Sequence, residues 1–106
     1  MKDKTLAVPI DKQGVSDYEN DVSKIDRLKY FILSRKEFDS MISDVFFDLL
    51  NNKFDLWIDE YEEEIIPNEY LISVKQLIES AGKSYPSFLT ALNYAIECDT
   101  ELCLEF

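Results

Sequence analysis

The 106-residue chain carries 22 acidic and 11 basic side chains and no histidine, a formal net charge of -11 at pH 7; so negative a surface repels polyanions, which excludes DNA, RNA and anionic membranes as partners. Apolar residues make up 46% and aromatic residues 13% of the chain, with two Gly and three Pro, the composition of one packed domain and not of a disordered segment. The longest apolar run is too short to span a bilayer and Met1-Lys2-Asp3-Lys4-Thr5 lacks the apolar core of a signal peptide, so the expected compartment is the cytoplasm, where Cys98 and Cys103 stay free thiols and form neither a disulfide nor a zinc site.

Leu6-Ala7-Val8-Pro9-Ile10 is a short apolar run. Pro9 offers no ladder donor, so an edge strand or an extended arm is expected there. Asp11 to Asp21 holds Gly14, Ser16 and Asn20 among acids with almost no apolar period and reads as a loop, making residues 1–22 an arm or loop ahead of the packed region. Leu28 to Leu33 is rich in strand formers and stops at Ser34-Arg35-Lys36-Glu37, a capping box that should start a helix. One long helix from Ser23, with Ile25, Leu28 and Ile32 on one face, is the competing reading; the cap favours strand then helix. Beyond Phe38, the residues Met41, Ile42, Val45, Phe46, Leu49 and Leu50 form a stripe at three- and four-residue spacing, which predicts a helix from Arg35 to Leu50 ending at Asn51-Asn52. Phe54 to Ile58 alternates, with Phe54, Leu56 and Ile58 on one side, and reads as a strand. Pro67-Asn68-Glu69 opens a helix that runs to Ala81, with Leu71, Val74, Leu77 and Ile78 inward and Gly82 as its stop. A further helix covers Pro86 to Cys98 with Phe88, Leu89, Leu92, Ala95 and Ile96 inward, and Leu102 to Phe106 forms an alternating strand. The expected fold is a single α+β domain. A small mixed or antiparallel sheet of Lys29–Leu33, Phe54–Ile58 and Leu102–Phe106 packs on about three helices, over a core that includes Phe46, Leu49, Leu77, Leu92 and Leu104.

The densest chemical signal is a run of seven acids, Asp55, Asp59, Glu60, Glu62, Glu63, Glu64 and Glu69, with no Lys or Arg between Phe54 and Val74. Trp57, Tyr61 and Tyr70 lie among them. Clustered carboxylates focus a negative potential, and aromatics supply contact area at low entropic cost, so these ten residues are the expected partner-binding surface and a basic protein the expected partner. A merely solvated face is the plainer alternative. Asp55-Leu56-Trp57-Ile58-Asp59 lacks the glycine of a calcium loop, and with no histidine a Ser or Cys nucleophile is without its commonest base. A two-metal nuclease would have to hold a polyanion against the net charge. No catalytic residue, metal ligand or cofactor is therefore assigned. The basic residues gather at Lys24, Arg27, Lys29, Arg35 and Lys36 and read as a solvated helix entry.

Small size, strong acidity and the succession Tyr30-Phe31-Ile32-Leu33-Ser34, Ile65-Ile66-Pro67, Glu101 to Phe106 resemble the small immunity proteins of bacterial toxin systems, including contact-dependent inhibition. The resemblance covers the order of elements from about Leu28 onward and carries no family residues with it. It implies a cytoplasmic, non-enzymatic protein that binds one cognate toxin, often a nuclease, and blocks its active site or substrate groove. A nucleic-acid mimic that inhibits a DNA-binding or defence protein uses the same physics on another target, and an acidic regulatory or scaffold subunit is a third reading.

Overall fold

The computed structural model describes residues 3–20 and 26–106. In chain order the elements are β1 (Lys4–Pro9), α1 (Lys12–Glu19), β2 (Leu28–Leu33), α2 (Arg35–Ser43), α3 (Phe46–Phe54), β3 (Glu63–Ile66), α4 (Asn68–Ala81), α5 (Pro86–Cys98) and β4 (Leu102–Glu105). Ser23 and Ile25, where the competing long helix would begin, and Lys24 of the basic stretch lie outside the described residues, but Leu28 and Ile32 belong to strand β2, so that helix does not form there. From Leu28 the chain is strand, and Ser34 caps the helix that follows, its hydroxyl accepting the Glu37 N–H at 3.1 Å.

The four strands form one antiparallel sheet in the order β2-β1-β4-β3. β1 is thus central, not an edge or an arm, and the physical reason is local. Ile10 N–H donates to Arg27 O at 2.9 Å, which fixes the phase of the ladder. Pro9, one residue earlier, then faces β4 at a point where that strand has not yet begun, so no donor is missed. Its carbonyl accepts the Thr100 hydroxyl at 2.7 Å. The expected loop after it is helix α1, capped by the Asp11 carboxylate on Gly14 N–H at 2.9 Å. Gly14 is there for proximity: a Cβ would stand 2.5 Å from Arg27 O.

Alternation along the strands sends Leu6, Val8, Leu33, Ile66, Leu102 and Leu104 to one face, where Phe38, Met41, Leu50, Leu71, Val74, Ile78, Phe88 and Leu92 from α2 to α5 complete the core. Aromatic rings interlock at its centre, with Phe38 edge-on to Phe106 at 5.1 Å and Phe46 edge-on to Phe88 at 6.0 Å. On the opposite face Ala7 and Cys103 are buried, and Tyr18 of α1 donates to Glu105 at 3.2 Å.

The stripe expected to form one helix from Arg35 to Leu50 is broken at Asp44–Val45, and Val45 takes a left-handed conformation at φ 51°. On a continuous helix Phe46, Phe47 and Leu50 would point nearly half a turn away from Phe38 and Met41. Breaking the helix buries both sets and leaves Ile42, Val45 and Leu49 exposed, so Leu49 is not core. Burying a Phe or Leu is worth roughly 1.5–3 kcal/mol each, against about 1–3 kcal/mol for one strained residue; three buried side chains win. Phe46, Leu92 and Leu104 are buried as expected, and Leu77 packs on the core half-buried.

Candidate functional site

The acidic segment is built the other way round from the sequence expectation. Phe54 to Ile58 is not a strand, and the strand is Glu63–Ile66. α3 runs past Asn51-Asn52 to Phe54, where Asp55 adopts the left-handed conformation at φ 57° as its cap. Asn51 then clips the returning chain with both ends of its carboxamide. Its Oδ1 accepts Ile58 N–H at 2.8 Å, and its Nδ2 donates to Ile58 O at 3.1 Å. These bonds take up the backbone groups a strand would offer to a ladder, and Ile58 is pressed into the core. The apparent alternation therefore records one plug, Ile58, and two half-buried packers, Phe54 and Leu56.

The ten candidate residues divide by what holds them. Glu64 is structural: its carboxylate accepts Trp57 N–H at 3.0 Å and Ile65 N–H at 2.9 Å, tying the loop to β3. Glu60 turns toward cations, with its Oε1 3.2 Å from Arg35 Nη2 and its carbonyl accepting Lys4 Nζ at 3.0 Å. Tyr70 stacks on Phe54 at 4.8 Å, half-buried. Asp55 caps α3, and Glu69 sits exposed in the first turn of α4, where a helix N-terminus favours an anion. That leaves Trp57, Asp59, Tyr61, Glu62 and Glu63. Trp57 and Tyr61 are each 80% exposed; Asp59 holds the turn beneath Tyr61 by accepting its N–H at 2.8 Å. No described Lys or Arg pairs with Asp59, Glu62 or Glu63. The surface is an acidic loop with two projecting aromatics, stitched at Asn51, Asp59 and Glu64.

Three supporting residues carried no sequence signal for this role. Asn51 looked like a helix stop. Lys4 and Arg35 are remote in sequence and reach Glu60 only because β1 and the start of α2 lie beside the loop.

A second set of carboxylates lies on the other face of the sheet. Glu101 is only 6% exposed. Burial, reinforced by the neighbouring Glu19 carboxylate, pushes it up to about 7. Burial likewise raises the Cys103 thiol and Glu105. Both thiols are free, Cys98 half-buried and Cys103 fully so. No described helix is long and apolar enough to cross a membrane.

Comparison of the chain with protein-family models, with curated proteins and with solved structures returned no match.

Proposed function

We propose that the protein is a non-catalytic binding protein of the immunity type, which neutralises a cognate bacterial toxin in the cytoplasm by docking its acidic loop on a basic cleft. A nuclease domain suits the role, because a site made to attract phosphates also attracts carboxylates. One observation carries the reading: Trp57 and Tyr61 stand 80% exposed on a loop that hydrogen bonds hold in place. Large aromatics held out in water bring anchor area to an interface with little ordering cost, and Asp59 and Glu62 on the same loop, with no described cation paired to them, supply steering together with Glu63 at the start of β3. Glu60 and Glu64 support the loop and are not offered as contacts.

The test uses a tagged chain as bait in its native host, followed by binding kinetics with the purified protein it retains. The partner's contact face should be basic, and the chain should inhibit the partner's activity. Trp57→Ala with Tyr61→Ala should mainly speed dissociation and cost on the order of 2 kcal/mol or more. Glu62→Lys with Glu63→Lys should mainly slow association and flatten its salt dependence. A partner that binds both folded variants with unchanged affinity and salt slope overturns the reading. A DNA-binding protein that releases the chain when duplex DNA is added would indicate nucleic-acid mimicry instead.

A further inference from the structure

The face of the sheet turned toward α1 is covered along one row of residues and bare along the next. Antiparallel pairing sets Tyr30, Ala7, Cys103 and Ile65 side by side across the four strands, and in the adjoining row sets Ile32, Thr5, Glu105 and Glu63 side by side. Ala7 and Cys103 of the first row are fully buried where α1 lies over β1. In the second row Ile32 is 59% exposed, Thr5 and Glu105 are half-buried and Glu63 is exposed. Tyr30, at the β2 end of the covered row, is 55% exposed beside Ile32. From α1, Tyr18 reaches the bare row, donating its hydroxyl to Glu105 at 3.2 Å.

The bare row is apolar at its β2 end and anionic at its β3 end. Glu63 and Glu105 stand directly opposite each other, an arrangement that costs stability when no cation separates the carboxylates. Burial, together with the charge of Glu63, holds the Glu105 carboxyl above the ordinary carboxylate range. No strand residue on this face is Lys or Arg, and no described cation pairs with either carboxylate. Lys4 and Lys29 lie on the opposite face, against Phe38 and Tyr94, and Lys12 at the start of α1 lies beside Asp99 and Glu101. Local charge and the net charge of -11 therefore have the same sign. Both repel a second copy or an acidic segment, and both attract a cation.

We propose that the row from Ile32 to Glu63 seats a basic amphipathic helix of a partner protein, which completes the cover that α1 begins. This surface is distinct from the Trp57–Tyr61 loop and does not depend on the partner being a toxin. Exposed apolar sheet faces are buried by packing a second layer on them, and on the adjoining row that layer is a helix of this chain. The spacing suits a helix. Ile32 and Glu105 are two strands apart, roughly 10 Å, a distance that a helix covers in about seven residues. An apolar side chain set on Ile32 and Tyr30 therefore places an Arg or Lys two turns along at Glu105 and Glu63, where it replaces repulsion with attraction.

The probe is a set of labelled helical Ala/Gln peptides of about 18 residues, read by fluorescence anisotropy and by amide chemical shifts of the full chain. One carries a Leu pair with Arg two turns along, a second replaces that Arg by Glu, and a third keeps the Arg but lacks the Leu pair. The Leu–Arg peptide should bind with a Kd below about 1 mM, and the other two at least about ten-fold more weakly. Its shift changes should centre on Thr5, Ile32, Glu63 and Glu105. Ile32→Ser, at an exposed site, should weaken binding at least about ten-fold. Glu63→Gln should weaken binding about three-fold and yet raise the melting temperature of the free chain, because it removes the repulsion with Glu105; a residue that merely held the fold would lower it. Trp57→Ala with Tyr61→Ala should leave the peptide's affinity unchanged, which separates this surface from the loop. Absence of binding across the set, equal binding of the Arg and Glu peptides, a lower melting temperature in Glu63→Gln, or loss of peptide binding in the loop variant would each overturn the proposal.

Discussion

Glu37 was expected to close a capping box on its own helix, and its side chain goes elsewhere. Ser34 does its half of the box. The buried Glu37 carboxylate instead accepts Ser87 N–H at 3.2 Å and Phe88 N–H at 2.9 Å, capping the first turn of α5 from a different element. Pro86 opens that helix and Tyr85 supplies no side-chain cap, so Glu37 is the acceptor its first turn depends on. Glu37→Ala strands a buried donor and should cost about 2–3 kcal/mol in urea unfolding, with Glu37→Gln losing less because one acceptor survives. Glu101 acts in the opposite sense. Its folded pKa of about 7 lies above the ordinary 4.5, so the folded chain holds a proton that the unfolded chain has already released. The stability this provides is complete below about pH 4.5 and is lost as pH rises toward 7, on the order of 2 kcal/mol. Unfolding curves across that window should slope downward for the wild type and flatten in Glu101→Gln; the raised Glu105 leaves a remnant of the slope. An equally steep Glu101→Gln profile would show that Glu101 is not the group responsible.

Among the elements, those legible in the sequence are the ones whose signals are local. α4 and α5 begin and end where Pro67-Asn68, Gly82, Pro86 and Cys98 place them, because proline in a first turn and glycine after a last turn act within a few residues. β2 and β4 were read from composition and alternation. What could not be read depends on long-range partners. The central place of β1 rests on Arg27 and Thr100, and the break at Val45 rests on whether Phe46 and Phe47 find a core to enter. The same limit applied to the acidic segment. Its charge and its aromatics were visible, but the division into exposed contacts and structural ties needed Asn51, Arg35 and Lys4 in place. The corrected helices give a discriminating pair of measurements. Leu92→Ala, fully buried on α5, should cost about 2–5 kcal/mol. Leu49→Ala, 45% exposed on α3, should stay within about 1 kcal/mol. Comparable losses at the two sites would mean that α2 and α3 form the single helix the periodicity suggested.

For the molecule as a whole, charge and connectivity matter more than any one contact. A chain of net charge -11 strains against its own field, whereas the ion pairs Arg27–Asp11, Arg35–Asp39 and Lys83–Asp44 are surface pairs worth little. Raising sodium chloride from about 10 to about 200 mM at pH 7 should therefore raise the melting temperature by a few degrees, since screening relieves repulsion by more than it weakens the pairs. A flat or falling trend in calorimetry would place the balance with the pairs. Connectivity has its own consequence. The two middle strands come from far apart in the chain, with Thr5 opposite Glu105 and Ala7 opposite Cys103. During synthesis β1 and β2 emerge early and can pair, but Leu6, Ala7 and Val8 have no second neighbour until residues 102–105 have left the ribosome. Closing so long a loop makes the central ladder a late and slow step. Over that interval the growing chain presents an apolar strand to whatever else is nearby, so yield in the cell should depend on holdase chaperones and on the pace of translation more than the stability of the finished domain would suggest.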